Sequence, residues 1–221
     1  YRHILHAHSH IALLGWGFMM LIGSMIFSLE DSSQFVSKYG KLFIGLLISL
    51  IGMLLSFPVQ GYGAVSISFS TLFVLVSYGF IFKLWRTISQ KELTPALRLI
   101  RWSLVGYLIS TLGLWALGPV SAIYGRMHEL YFMTIQWFLH FQLNGWFVLG
   151  TLGLFIFFAE KRGNRIFFSS IMEKILLASV LLTYALVITW AEPTPVFFWI
   201  NSLAVSLQAL AYWVVFSKVS R

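Results

Sequence analysis

Apolar residues dominate this chain in long, nearly unbroken runs, and the polar positions that interrupt them recur at intervals suited to a membrane. A spanning helix needs about 20 apolar residues. Seven stretches meet that length, at 4–28, 40–58, 63–85, 99–119, 128–159, 171–191 and 196–217. They predict an all-α, polytopic membrane helix bundle of seven transmembrane helices, forming one domain over residues 1–221. The runs are apolar on nearly every side, so hydrophobicity by itself does not say which helix face meets which neighbour. Thr94-Pro95 reads as a helix start, the threonine capping and the proline in the first turn. Pro193 and Pro195 separate the last two runs.

Composition agrees with the pattern: 59% of the residues are hydrophobic and 10% charged, with a mean hydropathy of +0.85, whereas a soluble domain carries about 25% charged residues. The net charge of +8 calls for no nucleic-acid partner, because the basic residues fall between the apolar runs. There they orient the chain and meet anionic lipid. Lys83, Arg86, Lys91, Arg98 and Arg101 cluster around one connection and Lys161, Arg162, Arg165 and Lys174 around another. The positive-inside rule makes both cytoplasmic. Alternation then places Lys38 and Lys41 inside, the amino terminus outside, and the carboxyl terminus with Lys218 and Arg221 in the cytoplasm. The expected location is a bacterial inner membrane. The chain starts at Tyr1 with no methionine, which leaves room for a leader or another span upstream. Gly40, Gly45 and Gly52 allow close helix packing, hence a homodimer, without requiring one.

The chemistry concentrates in histidine. The chain has no cysteine, which removes thiolate metal sites and leaves imidazole as its strong nitrogen ligand for a transition metal. Four of the six histidines, His3, His6, His8 and His10, fall within the first ten residues. An ionisable ring at the mouth of a span is a functional signal by default. His3, His6 and His10 stand at i, i+3 and i+7, one helix face, while His8 points to nearly the opposite side. The plain alternative is a polar helix start, with His3 and His128 as interfacial or hydrogen-bonded residues and His140 as a structural hydrogen bond to another helix.

The segment His10-Ile-Ala-Leu13-Leu-Gly15-Trp16 has a counterpart in His140-Phe-Gln-Leu143-Asn-Gly145-Trp146, with Gly23 and Gly153 also in register. This suggests a weak internal repeat of 8–28 and 138–158. His10 precedes Glu30, and His140 precedes Glu160, by 20 residues, about 30 Å of helix, which predicts both rings at similar depth in the outer leaflet. Gln136, His140 and Asn144 recur every four residues, as a ligand with supporting amides one turn above and below would. These positions support two readings: two axial histidines, His10 and His140, on one b-type haem, or a copper or zinc ion held by His6, His10 and His140, with His8 as a further ligand and His3 and His128 as outer candidates. Arg2 and Arg126, both placed outside, suit haem propionates.

His8-Ser-His10-Ile-Ala-Leu-Leu14-Gly15-Trp16 resembles the tenth span of the catalytic subunit of haem-copper oxidases, especially the C-type branch, which reads His-Val-His-Ser-Gly-Ala-Leu-Gly-Trp. Five of nine positions agree. The resemblance implies that His8 faces one haem and His10 another, with His140 as second axial ligand of the latter, in a short cytochrome oxidase subunit I-like protein. The chain carries neither the His-Pro-Glu-Val-Tyr type segment nor the adjacent His-His pair that bind copper in most members. The resemblance therefore bears on haem ligation more than on dioxygen reduction.

The functions that remain are electron transfer at a histidine-ligated haem, with a redox partner or respiratory complex; redox catalysis on oxygen or nitric oxide, if a second haem or copper is present; copper or zinc sensing, delivery or transport; and a non-catalytic accessory subunit. The inner halves of the first and fifth runs carry almost nothing polar, which argues against a permease. No Ser, His and Asp set or paired carboxylates converge, so hydrolysis has little support.

Overall fold

A computed structural model describes residues 1–164, 166 and 168–219, leaving out the side chains of Ser32, Lys218 and Val219. Arg165, Arg221 and the side chain of Lys218, three of the positively charged groups used for orientation, lie outside the described residues. Among the described residues, seven helices are long and apolar enough to cross a membrane: Arg2–Leu29, Phe35–Gln60, Ala64–Ser89, Pro95–Tyr124, Glu129–Lys161, Ser170–Ala191 and Pro195–Ser217. They are the first to seventh spans below. Among the described residues there is no strand, as expected where each spanning segment must satisfy its own backbone in lipid.

The chain divides into two compact units, Tyr1–Glu92 and Leu93–Arg221. The first holds spans one to three. Its second and third spans pack through small residues: Gly45 lies against Val76 and Gly79 against Leu42, and a Cβ on Gly52 would stand 2.3 Å from the Phe69 ring. Gly45 and Gly52, which could have served a dimer, thus belong to packing inside this unit. Phe18, Ile22, Met25, Tyr39, Met53, Phe57, Phe73 and Phe80 are fully buried around it. Phe18 meets Phe73 edge-on with centroids 5.4 Å apart, the favoured aromatic arrangement.

The second unit holds spans four to seven. Thr94 caps the fourth span through its hydroxyl, which accepts from Leu97 N at 3.4 Å, and Pro95 stands in the first turn. The fourth and fifth spans touch backbone to backbone: a Cβ on Gly106 would lie 2.5 Å from the Gly145 carbonyl carbon, and one on Gly113 2.5 Å from Thr134 O. Such approach is available only to glycine and suits association in lipid, where packing rather than the hydrophobic effect drives contact. Glu173, buried on the sixth span, accepts from Arg98 Nε at 2.6 Å and from Trp102 Nε1 at 2.9 Å, fastening the sixth span to the fourth.

Two spans are not regular α-helices. The first contains a π-helical segment at Ile11–Phe18 and the fifth another at Phe141–Val148. Each is eight residues long and starts one residue after a histidine, His10 or His140. The wider turn is uncommon and concentrates at functional positions. The two segments matched by spacing in the sequence therefore share the same local distortion in the same register.

Candidate functional site

In the first unit, the face predicted for His3, His6 and His10 packs on the turn that joins the second and third spans. The His3 ring lies so close to Gly61 that a Cβ there would stand 2.8 Å from its Cδ2 and Nε2. Gly61 itself has φ +60, in the left-handed region that glycine tolerates, so no side chain competes for that space. The His6 ring sits 4.7 Å from that of Tyr62, and His10 lies 4.3 Å from Phe57 and 5.7 Å from Tyr62. His8 is exposed, on the other side of the helix.

His10 is half-buried, and its Nδ1 stands 2.8 Å from the backbone carbonyl of His6. A carbonyl only accepts, so Nδ1 carries the proton and Nε2 keeps the lone pair. Metal-ligating histidines are held in this way, the ring nitrogen away from the metal donating to a carbonyl or carboxylate, which sets the tautomer and steadies the ring.

His140, in the second unit, has the opposite arrangement. Its Nε2 donates to the Val180 carbonyl on the sixth span at 2.8 Å. That carbonyl is available because the sixth span breaks at Thr183–Tyr184. The Tyr184 amide, which would serve Val180 in a continuous helix, bonds Leu181 O at 3.3 Å instead. Thr183 Oγ1 stands 2.9 Å from Ser179 O and 3.2 Å from Val180 O, and its single proton is shared between the two carbonyls. The Tyr184 ring closes over His140 with centroids 5.5 Å apart, and its hydroxyl donates to Met133 O at 3.1 Å. With Nε2 engaged, Nδ1 is the nitrogen that His140 presents with a lone pair.

The expected amide supports separate. Asn144 reaches back to the His140 carbonyl at 3.4 Å, whereas Gln136 is exposed. Spacing alone passes over Gln142, which is fully buried and accepts from Ser110 Oγ at 2.9 Å, while its Nε2 meets no acceptor among the described residues. Gln142 stands two residues from His140, off the four-residue stripe, and its partner Ser110 lies on another span. The paired tryptophans differ too: Trp16 is 73% exposed, and Trp146 is fully buried, edge-on to Tyr107 at 5.3 Å.

His128 caps the fifth span, its Nδ1 accepting from Leu130 N at 3.2 Å with its ring on Tyr124. This is the hydrogen-bonded alternative given for it above. Arg2 and Arg126 are exposed. Among the described residues no three His, Asp or Glu side chains come together as a metal-binding group.

No protein-family model matches the chain, and no curated protein or solved structure is significantly similar to it. Fold and composition define its class: an integral membrane protein of seven spanning helices. Its most distinctive chemistry is a pair of histidines, each at the start of a π-helical segment.

Proposed function

We propose that this is a haem-binding redox protein of a bacterial cytoplasmic membrane, its amino terminus outside, in which His10 is an axial ligand of a b-type haem. The observation that carries the reading is the bond from His10 Nδ1 to the His6 carbonyl, which leaves Nε2 with its lone pair beside the Phe57 and Tyr62 rings. That donor set and its apolar surroundings fit a haem, which when bound supplies one-electron chemistry. His140, in the second unit, is a separate ligand candidate, with Nδ1 as its lone-pair nitrogen while Nε2 donates to Val180 O. Arg2 and Arg126 remain the proposed partners of the propionates, and the resemblance to haem-copper oxidases supports the same assignment of His10.

A second reading has its own observation. His3, His6 and His10 occupy one face against the Phe57–Tyr62 turn, and imidazoles at i and i+4 suit copper or zinc. The test of both is the visible spectrum of the purified protein, oxidised and dithionite-reduced, with iron, copper and zinc assayed on the same sample. A sharp reduced α band with stoichiometric iron, lost in His10→Ala, supports the haem. Bound copper or zinc without a Soret band supports the second reading, and neither chromophore nor metal removes both.

A further inference from the structure

At one end of the first unit, where the first span stops, the second begins and the third ends, lies a polar recess of about 350 Å³. It is lined by Leu29, Glu30, Asp31, Gln34, Lys38, Thr87, Gln90 and Lys91. At about 30 Å³ per water it has room for roughly ten water molecules, enough for a charged headgroup. Its place at the ends of three spans is the depth at which lipid headgroups lie.

The inner charges of the recess satisfy one another. Glu30 Oε1 accepts from Lys38 Nζ, from Thr87 Oγ1 at 2.5 Å and from Tyr39 OH at 2.9 Å. Lys83 donates to the Lys38 carbonyl, and the Lys38 and Lys83 ammonium groups both stand over the Tyr39 ring. Burial alone would raise the Glu30 carboxyl, but the hydrogen bonds from Lys38, Thr87 and Tyr39 together hold it below the usual carboxylate range. The cluster is therefore a closed salt bridge at neutral pH.

The rim charges face solvent and pair with no other side chain among the described residues. Asp31 and Lys91 both line the recess, both are exposed, and among the described residues neither side chain has a hydrogen-bond or ion-pair partner. Gln34 and Gln90 add amide donors and acceptors beside them. A ligand matching this lining carries one anionic and one cationic group. An anionic headgroup alone would meet Asp31 unfavourably, and a quaternary ammonium has no N–H to donate to a carboxylate or an amide oxygen.

We propose that this recess binds the headgroup of an aminophospholipid, the phosphate at Lys91 and the primary ammonium at Asp31, with Gln34 and Gln90 completing the polar contacts. The Glu30–Lys38–Tyr39–Thr87 cluster forms its floor. The reading is independent of any haem or metal at the histidines.

The test is native mass spectrometry and thermal unfolding of the full chain in detergent, with phosphatidylethanolamine, phosphatidylcholine and phosphatidylglycerol of matched acyl chains. The expected result is retention of phosphatidylethanolamine over the other two by about tenfold, the ratio that one charge-assisted hydrogen bond supplies. Asp31→Asn should erase that preference, whereas Lys91→Gln, which removes the partner of the phosphate common to all three lipids, should weaken retention of all three; both positions are exposed, and both variants should melt like the wild type without lipid. Equal retention of the three lipids, a preference for phosphatidylglycerol, an ethanolamine preference unchanged in Asp31→Asn, or retention unchanged in Lys91→Gln would overturn the proposal. Soluble glycerophosphoethanolamine binding as tightly as the lipid would assign the site to a soluble zwitterion and overturn the lipid assignment.

Discussion

The His140 imidazole and the Val180 carbonyl are joined by a 2.8 Å hydrogen bond from the fifth span to the sixth, at the point where the sixth loses its helical continuity. The bond fixes the histidine's tautomer, and it satisfies a carbonyl whose own helix has turned away. A polar contact between spans in lipid contributes about 0.6 kcal/mol on average and up to about 1.7.

His140→Ala is therefore expected to lower stability by about 1 kcal/mol, since the Thr183 hydroxyl can turn from the Ser179 carbonyl to that of Val180. A double-mutant cycle with Thr183→Val in detergent melting should show coupling, because the two side chains share one acceptor. Strict additivity would mean that the shared carbonyl is satisfied in some other way.

The contact of Gly106 with Gly145 makes a sharper prediction. A methyl on Gly106 would meet backbone, which cannot rotate aside, so Gly106→Ala should destabilise by about 1–3 kcal/mol, as overpacking does. Gly23 has nothing within 4 Å of an added Cβ and lies mid-helix in the first span, so Gly23→Ala is the control that should melt at or slightly above the wild type. Equal melting temperatures for the two variants would contradict the backbone contact.

Loss of the Glu173 carboxylate leaves Arg98 and Trp102 without their shared acceptor. Removing one partner of a fully buried pair costs about 3–5 kcal/mol, and the 31% exposure of the Arg98 side chain reduces that. Glu173→Ala should accordingly destabilise by about 2 kcal/mol. Glu173→Gln should lie between it and the wild type, since the amide oxygen can still accept from Trp102. Chemical denaturation of the three proteins in mixed micelles would rank them.

The Glu30 cluster predicts a pH dependence of defined sign. Its carboxyl titrates below the usual range in the folded protein, chiefly because the donors on its oxygen outweigh the opposing effect of burial. The stabilisation is complete above the unfolded carboxylate pKa and disappears as pH falls through the lower folded value. Wild-type melting temperature should fall on acidification across that window, while Glu30→Gln should start lower at neutral pH and fall less. Parallel melting curves for the two proteins from neutral to acidic pH would argue against the salt bridge.

Much of the architecture was legible along the chain. All seven spans coincide with the apolar runs to within a few residues at most ends, Thr94-Pro95 starts its helix, and His3, His6 and His10 share a face with His8 opposite. These features depend on residues near one another in sequence: run length against the thickness of the hydrocarbon core, the cap against its own first turn, and helical spacing.

The candidate site was legible only as a set of residues. Which nitrogen His10 and His140 each leave with a lone pair depends on the carbonyl each ring meets, and Val180 is 40 residues from His140. Gln142 turns inward to meet Ser110 on another span, and Glu30 finds Thr87 57 residues away. Spans and ring faces follow from the residue order alone, because transfer into lipid and helical periodicity act over a single helix. Tertiary structure decided tautomer, partner and recess, because hydrogen bonds and glycine contacts between spans exist only once the helices have packed.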